Sequence, residues 1–71
     1  MKREALRRAV ESLIDEFEIT SIQDFDTIAH EVLIRKSLER NRYSKEAVKE
    51  LEIGKSTMYR KMKEYGIDTK N

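Results

Sequence analysis

The chain has 71 residues with no cysteine, no proline and one histidine, and its 15 basic and 14 acidic side chains leave a net charge of +1. Those counts exclude disulfides and thiolate metal sites, and they limit a metal centre to acidic ligands with at most one imidazole. No apolar run approaches the roughly 20 residues of a membrane span and no signal peptide is visible, so a cytoplasmic location is expected.

Apolar residues make up 38% of the chain and charged residues 41%, against roughly 45–50% and 25% in ordinary globular domains. So short a chain buries little of its surface alone, and association with a second copy is a common remedy. The small net charge hides an asymmetry. Residues 1–35 carry five basic and eight acidic side chains, whereas residues 36–71 carry ten basic and six acidic. A local basic surface at the C-terminal end is the kind that nucleic acid binds.

The first predicted helix covers about 3–18, where Leu6, Ala9, Val10, Leu13, Ile14 and Phe17 recur at helical spacing. They form one apolar stripe, and charged residues cover most of the remaining surface. Ser21 followed by Asp24 then reads as a helix N-terminus, with the hydroxyl accepting the amide three residues on. The second helix is predicted over about 22–41 and is apolar on two sides. Phe25, Ile28, Ala29, Val32 and Leu33 share one face, while Ile34 and Leu38 lie opposite. A helix of this kind buries both sides, so it is expected to be the spine of the fold.

Ser44 reads as the N-cap of a short third helix carrying Ala47, Val48 and Leu51, and Glu52-Ile53-Gly54 is the turn. The fourth helix, over about 55–65, buries Met58 and Met62. Gly66 suits the left-handed position of a Schellman motif, with Ile67 folding back on Met62. The expected fold is all-α: two N-terminal dimerisation helices in 1–43, a helix-turn-helix in 44–67, and a frayed tail in 68–71.

The fourth helix carries Lys55, Arg60, Lys61 and Lys63 with no acid among them. A short helix, a tight turn and a second helix with such a face point to a helix-turn-helix that enters DNA. The alternative from spacing alone is a helical hairpin with a solvated basic face. Gly54-Lys55-Ser56 imitates the end of a P-loop, but Lys49 stands where its first glycine belongs and no strand precedes it. His30 has no cysteine or second histidine to work with, and a helix N-terminus accounts for Asp24 and Asp26. No catalytic group, metal site or cofactor is expected.

Segment 24–67 resembles the Fis-type helix-turn-helix found at the C-terminus of NtrC-like, sigma-54-dependent bacterial transcriptional activators and in the nucleoid protein Fis. Glu31-Val-Leu-Ile34, Ser37-Leu38-Glu39, Ala47-Val48, Leu51 and Ile53 carry the likeness, and Ser56 to Ile67 carries it most strongly. The sequence departs from the family pattern at four places. Arg42-Tyr43 replaces Gly-Asn, Val48 replaces an alanine, Glu52 replaces the turn glycine, and Gly54 replaces a capping Ser or Asn.

The resemblance implies an obligate homodimer with a four-helix core built from the first two helices of each chain. Leu6, Val10, Leu13, Ile14 and Phe17 are its interface candidates on the first helix, with Phe25, Ile28 and Val32 on the second. The width of the first helix's stripe independently asks for more cover than one chain supplies. A symmetric dimer presents two recognition helices to a pseudopalindromic duplex site, with DNA bending implied. Lys55, Ser56, Tyr59 and Arg60 are candidates for the major groove. Thr57, Lys61, Lys63 and Lys45 are candidates for phosphates. An activator of this kind would also carry an AAA+ domain and engage sigma-54 RNA polymerase, so this chain is expected to be the C-terminal part of a larger protein. The alternatives are a free-standing Fis-like nucleoid protein and a helical protein-interaction adaptor.

Overall fold

The computed structural model describes residues 2–68; the end of the expected tail, 69–71, lies outside them. Four helices follow one another: α1 (Arg3–Phe17), α2 (Ile22–Arg40), α3 (Ser44–Leu51) and α4 (Lys55–Tyr65). The all-α expectation holds, and every helix boundary falls within a residue of its predicted place. No helix among the described residues is long and apolar enough to cross a membrane.

Helix ends are set locally. Ser21 Oγ accepts the Asp24 amide at 3.2 Å and starts α2. Three helices end in a left-handed residue: Glu18 (φ 51°), Glu52 (φ 57°) and Gly66 (φ 69°). After Gly66 the Ile67 amide donates to the Met62 carbonyl at 2.8 Å and the Gly66 amide to Lys63 at 3.2 Å, which is the Schellman pattern. The same pair of bonds closes α3, from Ile53 to Val48 at 3.4 Å and from Glu52 to Lys49 at 3.3 Å. Glutamate therefore occupies a conformation that glycine adopts with no steric cost.

The start of α3 corrects one expectation. Tyr43, extended at φ −123°, is the cap residue, and Ser44 is the first helical residue and fully buried. The Tyr43 amide donates to Glu46 Oε1 at 3.0 Å, so the glutamate three residues on serves the cap in place of a serine hydroxyl.

Ile34 and Leu38 of α2, Ala47 of α3, and Met58 and Met62 of α4 form the buried core. Val48, Leu51, Ile53, Tyr59, Tyr65 and Ile67 are half-buried around it. Ala47 is fully buried, and its short side chain lets neighbouring helices approach closely. α2 packs on both α3 and α4, which also pack on each other. Its Ile34–Leu38 side is thus the platform for the C-terminal pair. α1 has no such role: none of its residues is buried, and its backbone does not closely approach α2, α3 or α4.

Candidate nucleic-acid interface

α4 is held by Met58 and Met62, both essentially inaccessible, so its register on the core fixes which side chains face outward. Ser56, Arg60 and Lys63 fall opposite the methionines on a wheel of about 100° per residue, and all three are exposed. Lys55 is exposed on one flank, with Nζ 6.0 Å from the centre of the Tyr59 ring. That contact lies at the outer limit of a cation–π interaction and lets the ring orient the ammonium. Lys45, on α3, is also exposed.

Three of the expected contact residues sit less openly. Tyr59 packs against the core cluster and is half-buried, so only part of it is open to a duplex. Thr57 is half-buried on the other flank. Lys61 is half-buried too, and lines a groove with His30, Leu33, Ile34, Leu51 and Ile53. The outward set is therefore Lys55, Ser56, Arg60 and Lys63, with Lys45 beside it from α3.

Gly54 precedes α4 in an extended conformation, and its carbonyl accepts the Met58 amide at 3.0 Å. No strand leads into it, so the P-loop likeness has no structural counterpart among the described residues. No group of three or more potential metal ligands occurs among them either.

The angle of α3 on α2 depends on a cluster that sequence reasoning missed. Ser37 Oγ donates to Glu50 Oε1 at 2.6 Å, Arg40 Nη2 donates to the same oxygen at 2.7 Å, and Asn41 Nδ2 reaches it at 3.2 Å. Asn41 Nδ2 also donates to the Ser37 carbonyl at 2.8 Å. The Arg40 guanidinium, then the Ser37 hydroxyl, hold the Glu50 carboxyl down at about 2. Reciprocally, the hydrogen bond to Glu50 raises Arg40. The available signal was Ser37, a polar residue on the Ile34–Leu38 side of α2, where it required a partner. A second tie joins α2 to the end of α4, from Arg35 Nη2 to the Tyr65 carbonyl at 3.3 Å. Burial is the main cause that raises the Tyr65 phenol.

The expected dimer residues are gathered on the other side of the chain. Leu13 and Phe17 of α1 with Phe25, Ile28, Ala29 and Val32 of α2 line an open apolar groove of about 660 Å³. Leu6 and Val10 lie farther along the α1 stripe, and Ile14 borders the start of α2. Within one chain Leu6, Leu13, Ile14, Phe17, Ile28 and Val32 are all exposed.

No protein-family model, curated protein or solved structure matches the chain.

Proposed function

We propose that the chain binds double-stranded DNA sequence-specifically as a homodimer, with α3 and α4 as its helix-turn-helix and α4 in the major groove. The observation that carries this reading is one face of one helix. Ser56, Arg60 and Lys63 point away from the core that fixes α4, Lys55 is exposed at its start, and no acid intervenes between 55 and 63, with the exposed Glu64 bordering the same face. Arginine and lysine on such a face donate to guanine O6 and N7 or to phosphates, and serine serves either.

The three-residue link Glu52-Ile53-Gly54 supports the reading, since helix-turn-helix units join their helices by a turn of this length. The resemblance of 24–67 to the Fis-type domain supports it further. It extends the proposal to a C-terminal domain of an NtrC-like, sigma-54-dependent transcriptional regulator. In that setting the chain would localise an AAA+ domain and sigma-54 polymerase contacts to a pseudopalindromic site on the nucleoid.

Base readout then rests mainly on Lys55, Ser56 and Arg60, because Gly54 offers no side chain and Tyr59 is partly committed to the core. Selection from a random duplex library, followed by titration of the winning site against a scrambled one, tests the reading. Enrichment of a two-fold sequence bound much more tightly than its scramble is the expected result. Equal binding of both would favour an architectural nucleoid protein, and no binding at low salt would favour a protein-interaction adaptor.

A further inference from the structure

The described residues leave the apolar stripe of α1 largely open: Leu6 is 48%, Leu13 43% and Phe17 66% exposed. We propose that this stripe pairs with α1 of a second copy in antiparallel orientation, and that a row of charges along one edge of the stripe sets the direction. The proposal rests on the homodimer reading and adds the geometry and selectivity of its interface.

The charges of α1 run against its own dipole. Lys2, Arg3, Arg7 and Arg8 crowd its N-terminal half, with Glu4 the one acid there, while Glu11, Asp15, Glu16 and Glu18 follow with no base among them. Bases at a helix N-terminus and acids at its C-terminus each destabilise an isolated helix. The Lys2 side chain makes no capping bond, and the last turn has no base. Laid antiparallel on a copy of itself, the same helix places its basic end over the partner's acidic end. The cost within one helix becomes complementarity between two.

The edges of the stripe choose between orientations. Arg3, Arg7 and Glu11 border Leu6 and Val10 in one shallow groove, and Glu18 at the helix end extends the row. In an antiparallel pair each edge meets the same edge of its copy. With Arg3 level with the partner's Glu18, Arg7 comes within about 4.5 Å along the axis of the partner's Glu11, so a base meets an acid at both places. In a parallel pair this row would instead face Ala5, Ala9, Ser12 and Glu16, where only one residue is charged. Charged edges of this kind set partner choice and direction between helices.

The test is a charge exchange. Arg3→Glu/Arg7→Glu makes the row wholly acidic, and Glu11→Arg/Glu18→Arg makes it wholly basic. Both changes suit the helix dipole, so an effect confined to one helix would strengthen α1. Interchain pairing predicts the reverse: each variant alone raises the dimer dissociation constant in sedimentation equilibrium, on the order of tenfold at low ionic strength, with less effect in salt. Mixing the two variants, or combining all four substitutions in one chain, restores the native constant. Half-exchanged variants that dimerise as well as the native chain would overturn the proposal.

A second readout does not depend on those variants. The chain has no native cysteine, so a spin label on Glu4→Cys reports direction alone. An antiparallel pair sets the two labels about 20 Å apart along the axis, at 1.5 Å per residue. A parallel pair holds them level along the axis, separated only across the pair by the interaxial distance of about 10 Å plus the outward reach of each label. Level labels, or a native chain that stays monomeric at tens of micromolar, would overturn the proposal whatever the DNA affinity. An antiparallel dimer indifferent to DNA would uphold it and sink the functional reading instead.

Discussion

Ser37 of α2 donates its hydroxyl hydrogen to Glu50 of α3 at 2.6 Å, and Arg40 closes on the same carboxylate at 2.7 Å. This pairing sets how α3 leans on α2, and α3 in turn carries the turn that aims α4. A polar contact between α2 and α3 therefore helps to hold the basic face of α4 in place.

The Glu50 carboxyl lies at about 2 when folded, below its ordinary value of 4.5, because Arg40 and then Ser37 donate to it. A depressed folded pKa contributes stability that is fully present above the unfolded value and is lost as pH falls through the folded one. Thermal midpoints measured against pH should therefore decline between about 4.5 and 2. Glu50→Gln should flatten that part of the profile and lower the midpoint at neutral pH. An unchanged profile would show that the carboxylate does not hold α3.

Glu52 ends α3 at φ 57°, where a side chain is strained. Glu52→Gly should stabilise the chain by about 1 kcal/mol, since a left-handed residue with a Cβ costs roughly 1–2 kcal/mol and glycine gives part of that back in unfolded-state entropy. Gly54 has room for a side chain, because a Cβ there would meet only Thr57 Oγ1 at 3.9 Å. Gly54→Asn should add a few tenths of a kcal/mol through a better N-cap. Urea unfolding of the two variants measures both effects.

Met62 is buried among α2 and α3 residues, and Met62→Ala should cost about 2–5 kcal/mol. Ala47→Leu should cost about 1–3 kcal/mol by overpacking a position that is fully buried. In a domain this small either loss is a large share of total stability. Urea midpoints well below the native one are expected. A native midpoint in Met62→Ala would mean that α4 does not depend on this core.

The four lysine and arginine positions of α4 should not behave alike. Lys63→Ala should weaken DNA binding uniformly across sequences and lower the salt slope by about one, as loss of one phosphate contact requires. Arg60→Ala should cost about 1–3 kcal/mol and relax base preference if its guanidinium reads guanine. Lys61→Ala should change affinity less than Lys63→Ala, because Lys61 is half-buried in a groove with Leu51 and Ile53. Anisotropy titrations on one duplex rank the three.

The helices and their caps were legible in the sequence because their causes are local. Ser21 and Asp24 are three residues apart, Gly66 and Ile67 adjoin Met62, and the two-sided pattern of α2 required Ile34 and Leu38 to face a partner. Ser44 was misplaced by one residue because Glu46 reaches back to the Tyr43 amide, a bond that the serine masks in the sequence. Glu50 escaped notice because its partners Ser37, Arg40 and Asn41 lie 9 to 13 residues away with no period to announce them. Lys61 is a phosphate candidate by its charge, and Tyr59 a groove candidate by its place near the start of α4. Their distance around the helix from Met58 and Met62 is small enough to leave both half-covered. The α1 stripe was plain, but the described residues of one chain leave most of it open.

Salt dependence of duplex affinity tests the central claim most directly, because a basic face proposed to bind DNA would do so by displacing condensed counterions. Across a series of salt concentrations the log of the binding constant should fall linearly with log salt. The predicted slope is about −0.9 for each phosphate neutralised, with several phosphates per dimer. Undetectable binding at low salt, or an affinity indifferent to salt, would contradict the assignment of Lys55, Arg60 and Lys63 to DNA.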